Sequence, residues 1–97
     1  MTFNSQQRKF LKENAHNLKP VVLLGQAGLS DAAVRELDRA LTAHELVKIK
    51  LNAGEIRKDQ AIAAAEATGA ELISLTGRIA LLFRARTDGS TSFILPD

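Results

Sequence analysis

The positions of apolar residues predict a helix followed by a strand at the start of the chain. From Asn4 to Leu18, apolar residues recur three and four positions apart, which is the period of an amphipathic helix. Asn4 and Gln7 have the spacing of a capping box, so the helix is expected to begin there. Val21–Leu24 is an unbroken apolar run with two β-branched residues, and it predicts a strand buried on both faces.

The helical period of three to four residues, together with apolar runs and alternation typical of strands, predicts two more helices and three more strands in the rest of the chain. Leu46–Leu51 alternates between apolar and polar residues, so one face of this strand is apolar and the other carries Lys48 and Lys50. Ser30 is a strong N-cap candidate for the preceding helix, and Gly69 is the expected end of the following, alanine-rich helix. The other predicted elements are helices from Ser30 to about His44 and from about Glu55 to Thr68, and strands at Glu71–Thr76 and Ile79–Arg84.

This order of elements, helix-strand-helix-strand-helix-strand-strand, predicts the α/β class, with a small mixed four-stranded sheet covered by helices. The length of 97 residues predicts a single compact domain over residues 1–97, with its core at about 5–86 and a short tail at 87–97. No apolar run is long enough for a transmembrane helix, and the first residues lack the apolar block of a signal peptide. The expected location is therefore the cytoplasm, with no membrane partner.

Charge is unevenly distributed, although the net charge is only +2. Residues 1–30 hold four basic residues and one acid, and so do residues 48–58, which gives each segment a net charge of +3. Residues 59–77 hold three acids and no base. This segregation is compatible with one basic face that attracts a polyanion, and also with charges scattered over a solvated surface.

The residues offer no support for catalysis, a metal site or a cofactor. The chain has no cysteine, and His16 and His44 fall on different predicted helices. Ser30 and Ser74 lie in no nucleophile motif. A small-molecule substrate is therefore not expected. The isolated acidic residues that we expect to be solvated are Glu36, Asp38, Glu45 and Glu66.

A loop with two glycines links the first strand to the second helix in the stretch LLGQAGLS. Gly25 and Gly28 match neither the dinucleotide-binding fingerprint nor the P-loop. Glycines are common at such turns, so the loop alone favours a purely structural role. Its position before a helix N-terminus would nevertheless suit a phosphate group, and glycine loops clamp RNA backbones in KH domains.

Basic residues flank this loop on both sides, and this combination favours recognition of a nucleic-acid backbone. Those on the first helix are spaced four apart, beside its apolar stripe. The chain lacks Trp and Tyr, and its four Phe residues suit the core, so stacking of bases on aromatic side chains is not expected. The flanking residues are Arg8, Lys12, His16, Lys19, Lys48 and Lys50.

Several motifs, taken together, resemble one family. They are LKPVVLLGQAGL from Leu18, HELVKIK from His44, TGAEL from Thr68 and LFR ending at Arg84. Over about residues 5–86 the chain resembles the CRM domain (chloroplast RNA splicing and ribosome maturation), in particular the stand-alone bacterial proteins of the YhbY type. The resemblance implies a fold like that of the C-terminal domain of translation initiation factor three, preceded by a helix.

The resemblance also implies a non-catalytic RNA-binding protein that associates with the precursor of the large ribosomal subunit and assists its assembly. Its partners would be structured RNA, in particular large-subunit rRNA precursor, and pre-ribosomal particles. The family's glycine loop and basic surface, together with the basic stripe of the first helix, give the candidate RNA-binding residues. They are Gly25, Gln26, Ala27, Gly28, Arg8, Lys12, Lys19, Lys48, Lys50 and Arg84.

Two features depart from the family pattern. Gln26 and Ala27, between the glycines, are uncharged, which leaves phosphate contacts in the loop to peptide N–H groups. Phe83 stands where the family usually has tyrosine. The uncharged loop and the modest net charge leave a second function open, that of an adaptor that docks on a ribosomal protein or an assembly factor.

Overall fold

The computed structural model describes residues 3–24, 28–51 and 57–86, together with 91, 93, 95 and 96. The strands form one mixed sheet in the order β1-β2-β4-β3, in which β1 is parallel to β2 and β4 is antiparallel to both neighbours. The predicted α/β class, order of elements and four-stranded sheet are confirmed. The elements are α1 (Ser5–Asn14), β1 (Val22–Leu23), α2 (Asp31–His44), β2 (Leu46–Lys50), α3 (Arg57–Thr68), β3 (Glu71–Thr76) and β4 (Ile79–Phe83).

The capping box at the start of α1 is confirmed. The Asn4 side chain accepts a hydrogen bond from the Gln7 backbone N–H at 2.8 Å, and the Gln7 side chain accepts one from the Asn4 backbone N–H at 3.0 Å. The helix ends at Asn14, before the predicted Leu18, and residues 15–17 form a turn. Pro20 disfavours helical geometry only in the residue before it, so it keeps the chain from continuing as a helix into β1 but does not set the earlier end at Asn14.

Helices cover both faces of the sheet. The α2 and α3 helices pack on one face, where Ala61, Ala64 and Ala65 allow a close approach of α3. The α1 helix packs on the other face, above β3 and β4. Within the described part of the chain, no helix is long and apolar enough to cross a membrane. The core on the α1 side contains Phe3, Leu11, Ala15, Leu46, Ile73, Leu81 and Phe83.

The β1 strand is an edge strand, so the prediction that it is buried on both faces is wrong. Val22 and Leu24 are buried against α2 and α3, whereas Val21 is 46% and Leu23 67% exposed. The reason is that α1 packs above β3 and β4 and leaves the same face of β1 uncovered. The sheet therefore presents a partly open surface beside α1.

A β-bulge at Ile73 decides which side chains of β3 join this open surface. Leu72 pairs with Leu82 and Ser74 pairs with Leu81, so Ile73 is the extra residue. A bulge reverses the alternation of the residues that follow it. As a result, Ser74 and Thr76 lie on the α1 side of the sheet.

Arg8 connects α1 to this bulge. Its guanidinium donates hydrogen bonds to the carbonyl oxygens of Leu72 at 3.0 Å and Ile73 at 2.7 Å, and also to that of Phe3 at 3.2 Å. β3 is an edge strand of the sheet, where carbonyls can lack a partner strand, and Arg8 supplies donors to these two. Arg8 therefore has a structural role that the helical spacing of basic residues does not indicate.

Replacing Arg8 with methionine is expected to lower the free energy of unfolding by about 2 kcal/mol, because carbonyl groups in partly buried positions lose their donors. Urea denaturation measures this loss. Lys9→Met is the matched control, since it removes the same charge at an exposed neighbouring position, and it should change stability by no more than about 0.5 kcal/mol. Equal effects of the two substitutions would contradict the structural role of Arg8.

Glu45 is fully buried, so the prediction that it is solvated is wrong. Its carboxylate accepts a hydrogen bond from the Arg86 backbone N–H at 2.9 Å and lies 3.7 Å from the Arg86 guanidinium. Glu45 also has a positive φ of 63° and ends α2. It is buried because the chain after β4 folds back over the end of α2, where Arg86 meets it.

Candidate nucleic-acid interface

Two rows of side chains cross the sheet face that α1 leaves partly open. In the first row, Leu23 pairs with Lys50, and Lys50 pairs with Ile79. Thr76, which pairs with Ile79, completes this row on β3. The second row lies between the first row and the residues covered by α1, and it consists of Val21, Lys48, Leu81 and Ser74.

A cleft of about 350 Å³, which we name the α1–sheet cleft, lies between α1 and these rows. Its floor is formed by the apolar residues Ala15, Leu81 and Ile79, of which Ile79 is half-buried and the other two are 1% and 3% exposed. Its rim is polar. The rim residues are Lys12 of α1, His16 of the turn after α1, Lys48 of β2, and Ser74 and Thr76 of β3.

Lys48 is fixed in position at the edge of this cleft. Its ammonium group donates a hydrogen bond to the carbonyl oxygen of Leu18 at 3.0 Å. An ammonium group has three donors, so this bond orients Lys48 and leaves it able to donate to a ligand. Lys48 also borders a second cleft of about 330 Å³, which is lined in part by Lys19, His44 and Phe93.

The basic residues that are predicted to bind a polyanion, apart from the arginines, come together on this side of the sheet. We name Lys12, His16, Lys19, Lys48 and Lys50 the basic face. The α2 and α3 helices, which cover the opposite face of the sheet, carry a set of acidic residues: Asp31, Glu36, Asp38, Asp59 and Glu66. The same helices also carry Arg35, Arg39 and Lys58, so the opposite side is mixed in charge, whereas the basic face has a local concentration of lysines.

The two predicted arginines differ from these lysines in position. The Arg84 guanidinium donates to the Asp38 carboxylate and the Thr68 carbonyl, both at 2.7 Å, and so lies with α2 and α3 on the opposite side. Arg8 lies on α1, but its guanidinium binds the β3 bulge. The structure gives both arginines structural partners, and their contact with RNA stays a prediction.

The predicted glycine loop is described only at its end, since Gly25, Gln26 and Ala27 lie outside the described residues. Leu24, just before the loop, donates its backbone N–H to the carbonyl oxygen of Lys50 at 2.9 Å, so the chain leaves the sheet beside the basic face. Gly28 has a φ of +72°, a conformation that L side chains rarely adopt. A Cβ atom at Gly28 would lie 3.3 Å from Gln60 Nε2, the end of a flexible side chain.

Sequence reasoning did not include Ser74 and Thr76 among the candidate residues. A regular strand would place both side chains on the α2 and α3 side of the sheet. No turn-forming residue in the sequence marks the bulge at Ile73. The sequence does place His16 in the predicted basic stripe, because it is four residues from Lys12. Its position beside Lys48 only becomes clear in the folded sheet.

The aromatic residues belong to the core, as predicted. Phe83 is 2% exposed, and its ring packs edge-to-face against Phe3 and Phe93, with ring centroids 5.7 and 5.6 Å apart. The Phe83 ring is therefore part of the core on the α1 side. Within the part of the chain that the structure describes, no group of His, Asp and Glu side chains could hold a metal ion.

The fold and this surface define a small α/β protein with one basic sheet face. The chain matches the CRS1/YhbY (CRM) domain over residues 3–84, and it belongs to this family.

Named relatives extend over most of the chain. A Haemophilus influenzae protein named an RNA-binding protein is 38% identical over 85 residues, which cover 86% of this chain and 86% of that protein. A Pseudomonas aeruginosa protein named a probable RNA-binding protein is 36% identical over 87 residues, which cover 87% and 83% of the two chains. The solution structure of a Staphylococcus aureus protein, described as a candidate RNA binder, superposes with a TM-score of 0.83 at 26% identity and covers 98% of this chain and 100% of that one.

Proposed function

We propose that this protein is a non-catalytic RNA-binding protein that holds the phosphate backbone of structured RNA on its basic face. The observation that carries this proposal is the convergence of four lysines and His16 on one side of the sheet. Lysine contacts with phosphate provide affinity that does not depend on sequence. The relatives that are named as RNA-binding proteins support the same function.

The RNA that we propose is the precursor of large-subunit rRNA, in cytoplasmic pre-ribosomal particles whose assembly the protein assists. This part rests on the resemblance to the stand-alone YhbY-type members of the family. Crosslinking in cells, followed by sequencing of the bound RNA, tests it. Enrichment of large-subunit precursor rRNA is expected, and an even distribution over cellular RNAs would contradict the ribosomal part.

An exposed apolar strip favours a second candidate function, that of an adaptor for a ribosomal protein or an assembly factor. Leu18, Val21 and Leu23 are 40%, 46% and 67% exposed, and the first two line the second cleft. RNase treatment of isolated pre-ribosomal particles separates the two functions. RNA binding predicts that the protein is released, whereas an adaptor would stay bound after the RNA is digested.

The glycine loop is part of the proposed RNA contact, and Gly28 allows it to be tested. Asn and Asp tolerate a positive φ better than other L residues, and they have nearly the same shape. Gly28→Asp and Gly28→Asn should therefore lose a similar amount of stability, about 1 kcal/mol each. Only the aspartate places a negative charge beside the proposed phosphate, so it should bind RNA about tenfold more weakly than the asparagine variant.

Fluorescence anisotropy with labelled RNA gives the affinities of these two variants, and urea denaturation gives their stabilities. Equal RNA affinities for Gly28→Asp and Gly28→Asn would mean that no phosphate lies near this position. The glycine would then serve the geometry of the turn alone.

A further inference from the structure

We infer that the α1–sheet cleft holds one unpaired nucleotide of the bound RNA. This inference rests on the proposed RNA-binding function and makes it more specific. It assigns a distinct role to Ser74 and Thr76 and predicts a preference for RNA with a bulged or looped-out nucleotide.

The size of the cleft suits a single nucleotide. Its volume of about 350 Å³ lies at the lower end of the range for small-ligand sites, which begins near about 300 Å³. A base inside an A-form duplex is stacked on both faces and paired along its edge, so it cannot enter such a cleft. A nucleotide that has left the stack presents its ring and its edge, and RNA-binding proteins commonly recognise bases in this state.

The floor of the cleft provides an apolar surface for a base. Ala15 and Leu81 are almost completely buried, and half-buried Ile79 extends the same surface towards Lys50. Because Ala15 and Leu81 are already buried, the apolar area that a planar base removes from water is mainly that of Ile79. Lysines on a convex surface would bind duplex RNA equally well, so the apolar floor points to an extruded base.

The rim supplies the groups that the rest of a nucleotide needs. Lys12 of α1 and His16 of the turn after it lie on one side of the cleft, and Lys48 of β2 lines it with its ammonium group hydrogen-bonded to the Leu18 carbonyl. These cationic and imidazole groups suit the 5′ and 3′ phosphates of an extruded nucleotide.

The hydroxyl groups of Ser74 and Thr76 lie on the β3 side of the cleft, where the edge of the base would be. A hydroxyl both donates and accepts hydrogen bonds, so it can pair with any of the four bases. The site should therefore require an unpaired nucleotide and show little preference for its identity. The Arg8 contacts with the bulge at Ile73 position these hydroxyls indirectly.

Three RNA hairpins of otherwise identical sequence test the inference: one fully paired, one with a single-nucleotide bulge, and one with an abasic site at the bulge. We expect the wild-type protein to bind the bulged hairpin about tenfold more tightly than the paired one, because burying one base in the cleft removes apolar area from water. The abasic hairpin should bind like the paired one. Equal affinity for all three, or tight binding of the abasic hairpin, would overturn the inference and leave RNA binding intact.

Two cleft-filling variants locate the effect. Ser74→Leu adds apolar volume to the cleft without changing the charge, and Thr76→Leu does so at an exposed position that the fold tolerates more easily. Both should reduce the bulge preference, which is the ratio of the affinities for the bulged and the paired hairpin, to about one. The affinity for the paired hairpin should stay the same. Ser5→Leu, a similar change at an exposed residue of α1, should keep the preference.

Bulge preference that survives in both cleft variants would place the nucleotide elsewhere and overturn the inference. Thermal unfolding followed by circular dichroism identifies any variant that does not fold, and the other variant then decides. Absence of binding to all three hairpins by the wild-type protein is a different result. It would overturn the proposed RNA-binding function itself.

Discussion

Changing Lys12 and Lys50 together to glutamate is expected to weaken RNA binding roughly a hundredfold at about 50 mM salt. Both side chains are exposed; Lys12 lines the α1–sheet cleft from α1, and Lys50 on β2 pairs with Ile79 of its floor. Each substitution removes one favourable phosphate contact and introduces a like charge. Lys48 is left unchanged because its hydrogen bond to Leu18 also serves the fold.

The control for this double variant is Arg35→Glu with Arg39→Glu. These two arginines are exposed on α2, on the side of the sheet opposite the basic face, and the change in net charge is the same. RNA affinity should fall far less in the control, since the loss then comes only from the long-range field. Similar losses in both double variants would mean that net charge, and not the basic face, determines binding.

Glu45→Ala is expected to lower the free energy of unfolding by about 3 kcal/mol, the largest effect on stability that we predict for a single residue. The substitution removes the buried acceptor of the Arg86 backbone N–H and the charge beside its guanidinium. The positive φ of 63° strains glutamate and alanine alike, so it does not add to this loss. Urea denaturation measures the loss.

Two further substitutions at Glu45 separate these causes. Glu45→Gln keeps an oxygen that can accept from Arg86 and removes only the charge, so it should cost about half as much as alanine. Glu45→Gly removes the acceptor but relieves the positive φ, so it should be about 1 kcal/mol less harmful than alanine. A loss below about 0.5 kcal/mol for Glu45→Ala would contradict the account of this buried carboxylate.

Local patterns were sufficient to predict the elements of this fold. The capping box of Asn4 and Gln7 and the Ser30 cap act within one helical turn, and the structure contains both. The lysines of β2 follow from strict alternation, because a strand places every second side chain on the same face. These features depend on neighbours in sequence, so the sequence alone carries them.

The features that were mispredicted or missed depend on residues far apart in the chain. Glu45 is buried because Arg86, from the segment after β4, meets it at the end of α2. Arg84 binds Asp38 and Thr68, and no local pattern indicates those partners. Leu23 is exposed because α1 packs above β3 and β4, which an apolar run cannot indicate.

Only part of the candidate site could be predicted, because some of its residues follow local patterns and others depend on contacts between distant parts of the chain. Lys12, Lys48 and Lys50 were visible as stripes on a helix and a strand, and the fold brings these stripes together. Ser74 and Thr76 were missed because a single extra residue at Ile73 reverses the direction of the side chains that follow it. The position of such a bulge depends on the pairing with β4.

The dependence of RNA affinity on salt tests most directly whether the basic face binds the RNA backbone. Each of its four lysines should release roughly 0.7–0.9 counterions, so the plot of log Kobs against log salt concentration should have a slope of about −3 for the wild-type protein. Lys12→Gln with Lys50→Gln should reduce the steepness by about two, whereas Arg35→Gln with Arg39→Gln should leave it nearly unchanged. Affinity that does not change with salt, or slopes that are the same in all three proteins, would contradict binding through this face.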